Sequence, residues 1–552
     1  MNIRGTAAVF YLLICTSLFS QTLSSNAFQD LLLSLASKDD GVRLTAIQGI
    51  KTLDDPEMAS HLLTQYQNAL LFLWKDKVIG TAGITEDANY NKLLSPVDPL
   101  SGISLNLETK TVLQSETQVL KPGRSERSIL ASAQLFVDLR RSDGNIQLNA
   151  ARRAALDERA LEMTGLLQEI ANHSPGELAF AATESLNLII LKNSPVPEEL
   201  QTAFVNLGAM QSLRALPELE GFLGNPEFIS KYPSLKPILI SAVENIQGYQ
   251  NWVKVFDIFK SALSSGSILI LVALGLSITF GLMGVINMAH GEMLMIGAYT
   301  TYCIQLLFGH TPENPSPLFF FVALPASFVI SALTGGLIEW SVIKRLYKRP
   351  IESLLASYGV SLILIQVIRL IFGDNRATNS PLWLQGAIEL SQGMAIPINR
   401  LFIFALALAS IAGIWLLFRY TRLGLDMKAT MQNREMAASL GINTRRVDNL
   451  TFMLGSGIAG IAGFALTTVG GITPDMGKNY LVDSFLVVVT GGVGNMAGVA
   501  SSGMGIGFIN KFLEGTFFGA VWAKILVLVM VITFIQFKPR GLFAPKGRLS
   551  DD

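Results

Sequence analysis

Residues 281–302 read GLMGVINMAHGEMLMIGAYTTY, an apolar segment with Asn287, His290 and Glu292 near its middle. These side chains bind solutes, cap helices or move protons. Polar groups at membrane depth are costly, so they mark candidate functional sites. Glycines at 281, 284, 291 and 297 interrupt the segment, and irregular backbone at that depth is tolerated only where protein buries it or it lines a cavity. Two readings stand together. NMAHGE is a tight turn whose polar residues cap helix ends, with Glu292 in the first turn of the next helix facing its positive dipole end. Alternatively it is a broken helix bordering a solute path. A second break, GGVGNMAG (491–498), adds Thr490 and Asn495, and Thr279 lies just upstream of the first; all three join the path-lining candidates.

No catalytic constellation competes. His61 and His173 stand alone, which suits surface or capping histidines. His290 has no nearby serine motif for nucleophilic chemistry, and no cluster has metal-ligand spacing. No G-x-x-x-x-G-K-[ST] occurs, so ATP binding is not expected in this chain. No cofactor is expected. A gradient-driven transporter or channel would carry ionisable residues in mid-membrane; Glu339, Glu352, Arg369 and Lys524 fall near span ends, where long side chains can reach water.

The 552 residues are 50% hydrophobic and 15% charged, with zero formal net charge. That balance gives no reason to expect a nucleic-acid partner. The two cysteines, Cys15 and Cys303, are not expected to form a disulfide. Residues 1–27 read as a signal peptide: Arg4, an apolar stretch from Ala7 to Cys15, and small residues Ser25-Asn26-Ala27. Residues 28–255 show apolar residues three or four apart, as in LNAARRAALDERAL (148–161), between breakers such as DDPE (54–57). This predicts an exported, mainly helical, HEAT-like domain or a generic helical bundle. Residues 77–121 lose that rhythm and read as extended or irregular.

Residues 256–537 form the expected transmembrane domain, and 538–552 a cytoplasmic tail. Apolar runs of spanning length lie at 265–286, 291–308, 318–343, 353–372, 400–418, 450–469 and 518–537. The broken region 482–513 adds a re-entrant or hairpin pair. The basic loops KRLYKR (344–349) and 419–448 and the tail are placed inside by the positive-inside rule, and 309–317 and 373–399 outside. The expected fold class is therefore all-α: a polytopic helix bundle with broken segments behind an exported domain. GSGIAGIAG (455–463) and GMGIG (503–507) let helix backbones approach closely.

Three stretches carry a family likeness. GLMGVINMAHGEMLMIGAY (281–299), RLGLDMKATMQNREMAASLGINTRRVDNLTFMLGSGIAGIAGF (422–464) and FLVVVTGGVGNMAGVASSGMGIG (485–507) resemble the branched-chain amino acid type of ABC transporter permease, in order, within about 260–545. The long N-terminal extension and the ending FKPRGLFAPKGR (537–548) look like the urea transporter permeases of that family. The resemblance implies alternating access in the inner membrane, two ATP-binding subunits, a second homologous permease subunit and a periplasmic substrate-binding protein. It also implies that REMAASLGIN (434–443) is the loop that docks on the ATPase, with Arg434, Glu435, Ala437 and Ala438 on its helix and Gly441 as the stop.

Overall fold

The computed structural model describes residues 25–75, 77–86, 92–99, 112–124, 126–284, 287–309, 316–347, 349–516, 519–539 and 541–543. The core of the expected signal peptide lies outside these residues. The chain divides after Tyr249 into two compact units.

The first unit opens with α1 (Ser25–Ser34), α2 (Asp40–Lys51) and α3 (Pro56–Gln67). Asp39 and Asp55 cap α2 and α3 through their carboxylates, and Pro56 occupies the first turn of α3. Next come β1 (Leu71–Trp74), β2 (Lys77–Glu86), β3 (Lys92–Val97), β4 (Val112–Leu113) and β5 (Gln118–Leu120), an antiparallel sheet of order β4-β3-β2-β1-β5. The expected all-α class is corrected here. Val78, Ile79, Thr81, Ile84 and Thr85 favour extended backbone, and Gly80 and Gly83 disfavour helix. The extended reading of 77–121 agrees with the strands found there, but the sheet already begins at Leu71.

Helices α4 (Glu126–Arg140), α5 (Gly144–Ala154), α6 (Thr164–His173), α7 (Gly176–Asn193), α8 (Pro197–Ala209), α9 (Leu216–Leu223) and α10 (Pro226–Lys231) follow. Ala151, Leu167, Ala182, Phe204, Leu207 and Leu219 form the fully buried centre of their core. Glu126 is buried against α2 and α3. Its carboxylate accepts from the Gly123 N–H (2.8 Å), Arg43 Nε (2.6 Å) and the Tyr66 hydroxyl (3.1 Å). Burial alone would raise its pKa; these donors outweigh it and hold the group below the ordinary glutamate range.

Helix α11 (Lys236–Met283) has 48 residues, and the sequence-based boundary at 255/256 falls inside it. Beyond it come α12 (His290–Leu307), α13 (Leu318–Ser341), α14 (Pro350–Phe372), a hairpin of β6 (Ala387–Ser391) and β7 (Met394–Pro397), and α15 (Ile398–Tyr420). Two short helices, α16 (Arg422–Gln432) and α17 (Arg434–Ser439), lead to α18 (Thr444–Leu466), α19 (Met476–Gly491), α20 (Met496–Thr516) and α21 (Ala520–Phe537).

Six helices are long and apolar enough to cross a membrane among the described residues: α11, α13, α14, α15, α18 and α21. The run at 291–308, expected as a seventh span, is α12. Its 18 residues rise roughly 27 Å, and it carries His290, Glu292, Thr300, Thr301 and Gln305, all buried. Most of the apolar stretch of α18 is buried (72%), against 17% for α14, α15 and α21. Helix α18 is thus central, while the other three present apolar faces outward, as lipid contact requires. Helix α18 packs along α12 and α13. A Cβ on Gly297 would overlap the Gly460 backbone, and one on Gly463 would overlap the Leu294 carbonyl. Glycine here permits backbone contact in lipid, where close packing drives association.

Candidate functional site

Helix α11 ends at Met283, and Gly284 takes a left-handed φ of +66° that only glycine adopts freely. After the break, Asn287 Oδ1 accepts from the Ala289 N–H (3.0 Å), and the Asn287 carbonyl accepts from the His290 N–H (3.3 Å). This turn launches α12 at His290. The His290 ring reaches across instead: Nε2 donates to the Val272 carbonyl (3.1 Å) inside α11. Glu292 lies in the first turn of α12, and its Oε1 accepts from the Ser361 hydroxyl (2.7 Å). The Met288 N–H donates to Ser357 Oγ (3.1 Å). Ser353, Ser357 and Ser361, four residues apart, form one buried stripe on α14 facing the break.

Asn287, His290 and Glu292 are all at most 1% exposed. Yet Asn287 Nδ2, His290 Nδ1, Glu292 Oε2 and Ser353 Oγ have no hydrogen-bond partner among the described residues. Buried polar atoms are seldom left this way. These atoms are an amide donor, an imidazole nitrogen, a carboxylate oxygen and a hydroxyl, and none of the four residues lines the cavities of about 260 and 520 Å³.

The second break lies between α19 and α20. Gly492 and Gly494 have φ of +100° and +79°, and Asn495 Oδ1 accepts from the Gly498 N–H (3.1 Å), capping α20. The two breaks meet: a Cβ on Gly281 would lie 2.6 Å from Gly494 Cα. A cavity of about 260 Å³ lined by Leu274, Ser277, Ile278, Trp415, Phe418 and Gly494 opens beside this contact. Thr279 and Thr490 are buried, and each hydroxyl donates back to its own helix, at Leu276 and Leu486. The carbonyls of Thr490 and Gly491 accept from the N–H groups of Leu542 (2.8 Å) and Phe543 (3.3 Å), so the tail straps the second break.

The loop candidates form a separate constellation. Asn433 caps α17 by accepting from the Met436 N–H (2.9 Å). Gly441, with φ +89°, ends it; the Ile442 N–H returns to the Ala437 carbonyl and the Gly441 N–H to Ala438, the glycine-terminated helix stop. Ala437 is buried against its own chain. Glu435 and Ala438 are exposed, and Met436 and Leu440, four apart, expose large apolar side chains. Arg434 holds the loop through a two-pronged ion pair with the buried Asp448 on α18. Its guanidinium also lies 5.4 Å from the centre of the Tyr347 ring. The Tyr347 hydroxyl donates to Glu339 Oε1 (2.5 Å), and Asn449 Nδ2 donates to Glu339 Oε2 (2.6 Å). Glu339, expected near water at a span end, is buried in this network. The serine stripe and the Arg434–Asp448 pair were missed at the level of sequence; the serine spacing of four was the available signal.

These features define a polytopic helical membrane protein with two glycine breaks in its centre and a capped, apolar-faced loop outside it. The profile of the family described as the branched-chain amino acid transport system, permease component, matches residues 258–535. The chain belongs to that family. It is 27% identical over 293 residues to the high-affinity branched-chain amino acid transport system permease protein BraD of Pseudomonas aeruginosa, covering 51% of this chain and 93% of that one. It is 26% identical over 301 residues to the probable branched-chain amino acid transport permease protein LivH of Methanocaldococcus jannaschii, covering 52% and 91%. The permease protein LivM of Escherichia coli is 24% identical over 255 residues, covering 42% and 58%. No solved structure matches.

Proposed function

We infer that this chain is the membrane-spanning subunit of an ATP-driven importer for branched-chain amino acids or another small amide. The observation that carries this is the family match across 258–535, which contains both breaks and the loop. Two ATP-binding subunits supply the energy. Each presents a groove to a permease loop, and here the exposed Met436 and Leu440 face seats in it, with Glu435 free to pair with a basic residue. A second permease, of the kind LivM represents, completes the pathway, and a periplasmic binding protein delivers the solute. The loops at 344–349 and 419–448 face the cytoplasm. Residues 28–255 are exported and HEAT-like in their helical part, and help dock the binding protein. Solute passes the unpartnered polar atoms of Asn287, His290 and Glu292, with Asn495, Thr279 and Thr490 shaping the breaks around them. A zwitterionic amino acid would use the Glu292 carboxylate for its ammonium group.

Urea is the second reading. It is favoured by the first 250 or so residues, which the match to the family leaves uncovered, and by the tail motif. Uptake of labelled leucine and labelled urea, each at low micromolar concentration, in cells lacking and then regaining this gene separates the two. Recovery of leucine uptake is the expected result. Recovery of urea uptake alone would move the substrate to urea and keep the permease reading. Recovery of neither would remove both substrates.

A further inference from the structure

A cavity of about 520 Å³ lies between α13 and the start of α18. This volume is within the range of small-ligand sites, roughly 300–1,000 Å³. Its rim carries Lys344, Arg445 and Arg446, all exposed, and none is in an ion pair among the described residues. The only acid lining it is Glu339, whose two carboxylate oxygens are taken by Tyr347 and Asn449. Three cations against one carboxylate leave the cavity strongly positive. Asn443, which also lines the cavity, caps the start of α18 by accepting from the Arg446 N–H (3.2 Å), so the positive end of a 23-residue helix lies at the cavity.

The other wall is apolar and outward-facing. Leu333, Leu337 and Trp340 follow one another at helical spacing on α13 and are 57%, 61% and 63% exposed. Helix α13 is one of the candidate spans, so this stripe meets hydrocarbon, and Trp340 sits at its polar end, where tryptophan prefers the interface. A basic cavity that continues into an apolar, membrane-exposed groove has the chemistry of a phospholipid site. We propose that this cavity binds the headgroup phosphate of an anionic phospholipid, with an acyl chain along Leu333, Leu337 and Trp340. The site goes beyond the transport reading and does not depend on which solute is moved. It adjoins the Glu339–Asn449–Tyr347 network, so its lipid lies next to the groups that hold the Arg434 loop.

The test uses the full chain, purified in detergent and stripped of lipid. Binding of dioleoylphosphatidylglycerol and dioleoylphosphatidylcholine is followed by native mass spectrometry. Two net positive charges predict about tenfold or greater preference for the anionic lipid. The triple variant Lys344→Gln, Arg445→Gln, Arg446→Gln should lose that preference, while Lys344→Arg, Arg445→Lys, Arg446→Lys and Arg422→Gln, which does not line the cavity, should keep it. Should the triple variant aggregate, Arg446→Gln alone serves and should weaken the anionic lipid about fivefold. An undiminished preference in the glutamine variants overturns the proposal. So does displacement of the lipid by millimolar inorganic phosphate, which would make this a site for free phosphate.

Discussion

Replacing Arg434 by glutamine should loosen the loop by an amount the structure sets. Asp448 is 3% exposed, and Arg434 is the cation paired with it among the described residues. Losing one partner of a fully buried pair costs about 3–5 kcal/mol. Here the Arg434 side chain is 44% exposed, so water can reach the carboxylate from that side. The expected cost therefore falls to about 2–3 kcal/mol, in the range for hydrogen bonds to charged groups. Asp448→Asn keeps an acceptor for Arg434 and removes the buried charge, and should cost only about 1 kcal/mol. The double variant should sit close to Asp448→Asn, so the cycle should be non-additive by about 2–3 kcal/mol. Limited proteolysis of the 433–443 loop in nanodiscs reads this directly. When opening is fast relative to cleavage, Arg434→Gln should be cut about 30- to 150-fold faster than wild type. Cleavage within twofold of wild type, or strict additivity in the cycle, would refute the reasoning that this pair anchors the loop.

Other outcomes follow from the same contacts. Gly297→Ala places a methyl on the Gly460 backbone, which has no flexible end to yield; thermal unfolding should show a loss at the upper end of about 1–3 kcal/mol. Gly441→Ala puts a side chain at φ +89° and should weaken the helix stop by about 1 kcal/mol, with Gly441→Asn milder; the loop proteolysis assay ranks the three. Glu126 titrates below its ordinary range in the folded chain, so its stabilising contribution is complete above the unfolded value. It disappears as pH falls through the folded value. Acid unfolding of the full chain, followed by tryptophan fluorescence, should therefore lose part of its low-pH dependence in Glu126→Gln.

Much of the membrane unit is written in local composition. Apolar runs of spanning length locate its helices, and the glycines at 284, 492 and 494 announce both breaks because left-handed backbone needs them. Asn287, His290 and Glu292 stand out by type alone. Their partners do not: Val272 is 18 residues from His290, and Ser361 is 69 from Glu292. Such pairings exist only once helices have packed. The Arg434–Asp448 pair hides for the same reason, since its members lie on two helices separated by the Gly441 stop. In the first unit, loss of the three-to-four repeat after residue 77 signals extended chain. Leu71–Trp74 is too short and too uniformly apolar to reveal a strand before β2 pairs with it. Helix α12 falls outside the six helices selected by length and apolarity, and its composition does not reveal that buried Thr301, Gln305 and Glu292 find partners on neighbouring segments of the chain.

The central claim is that this chain couples solute passage to ATP-binding subunits through residues 434–441. The most direct measurement places a photoreactive amino acid at Met436 in cells that express the complete transport system, and identifies by mass spectrometry what becomes crosslinked. The account predicts a crosslink to an ATP-binding subunit, and none from a control position at the lipid-exposed Ile363. Efficient uptake with no ATP-binding subunit captured at Met436, or capture at both positions alike, would contradict it.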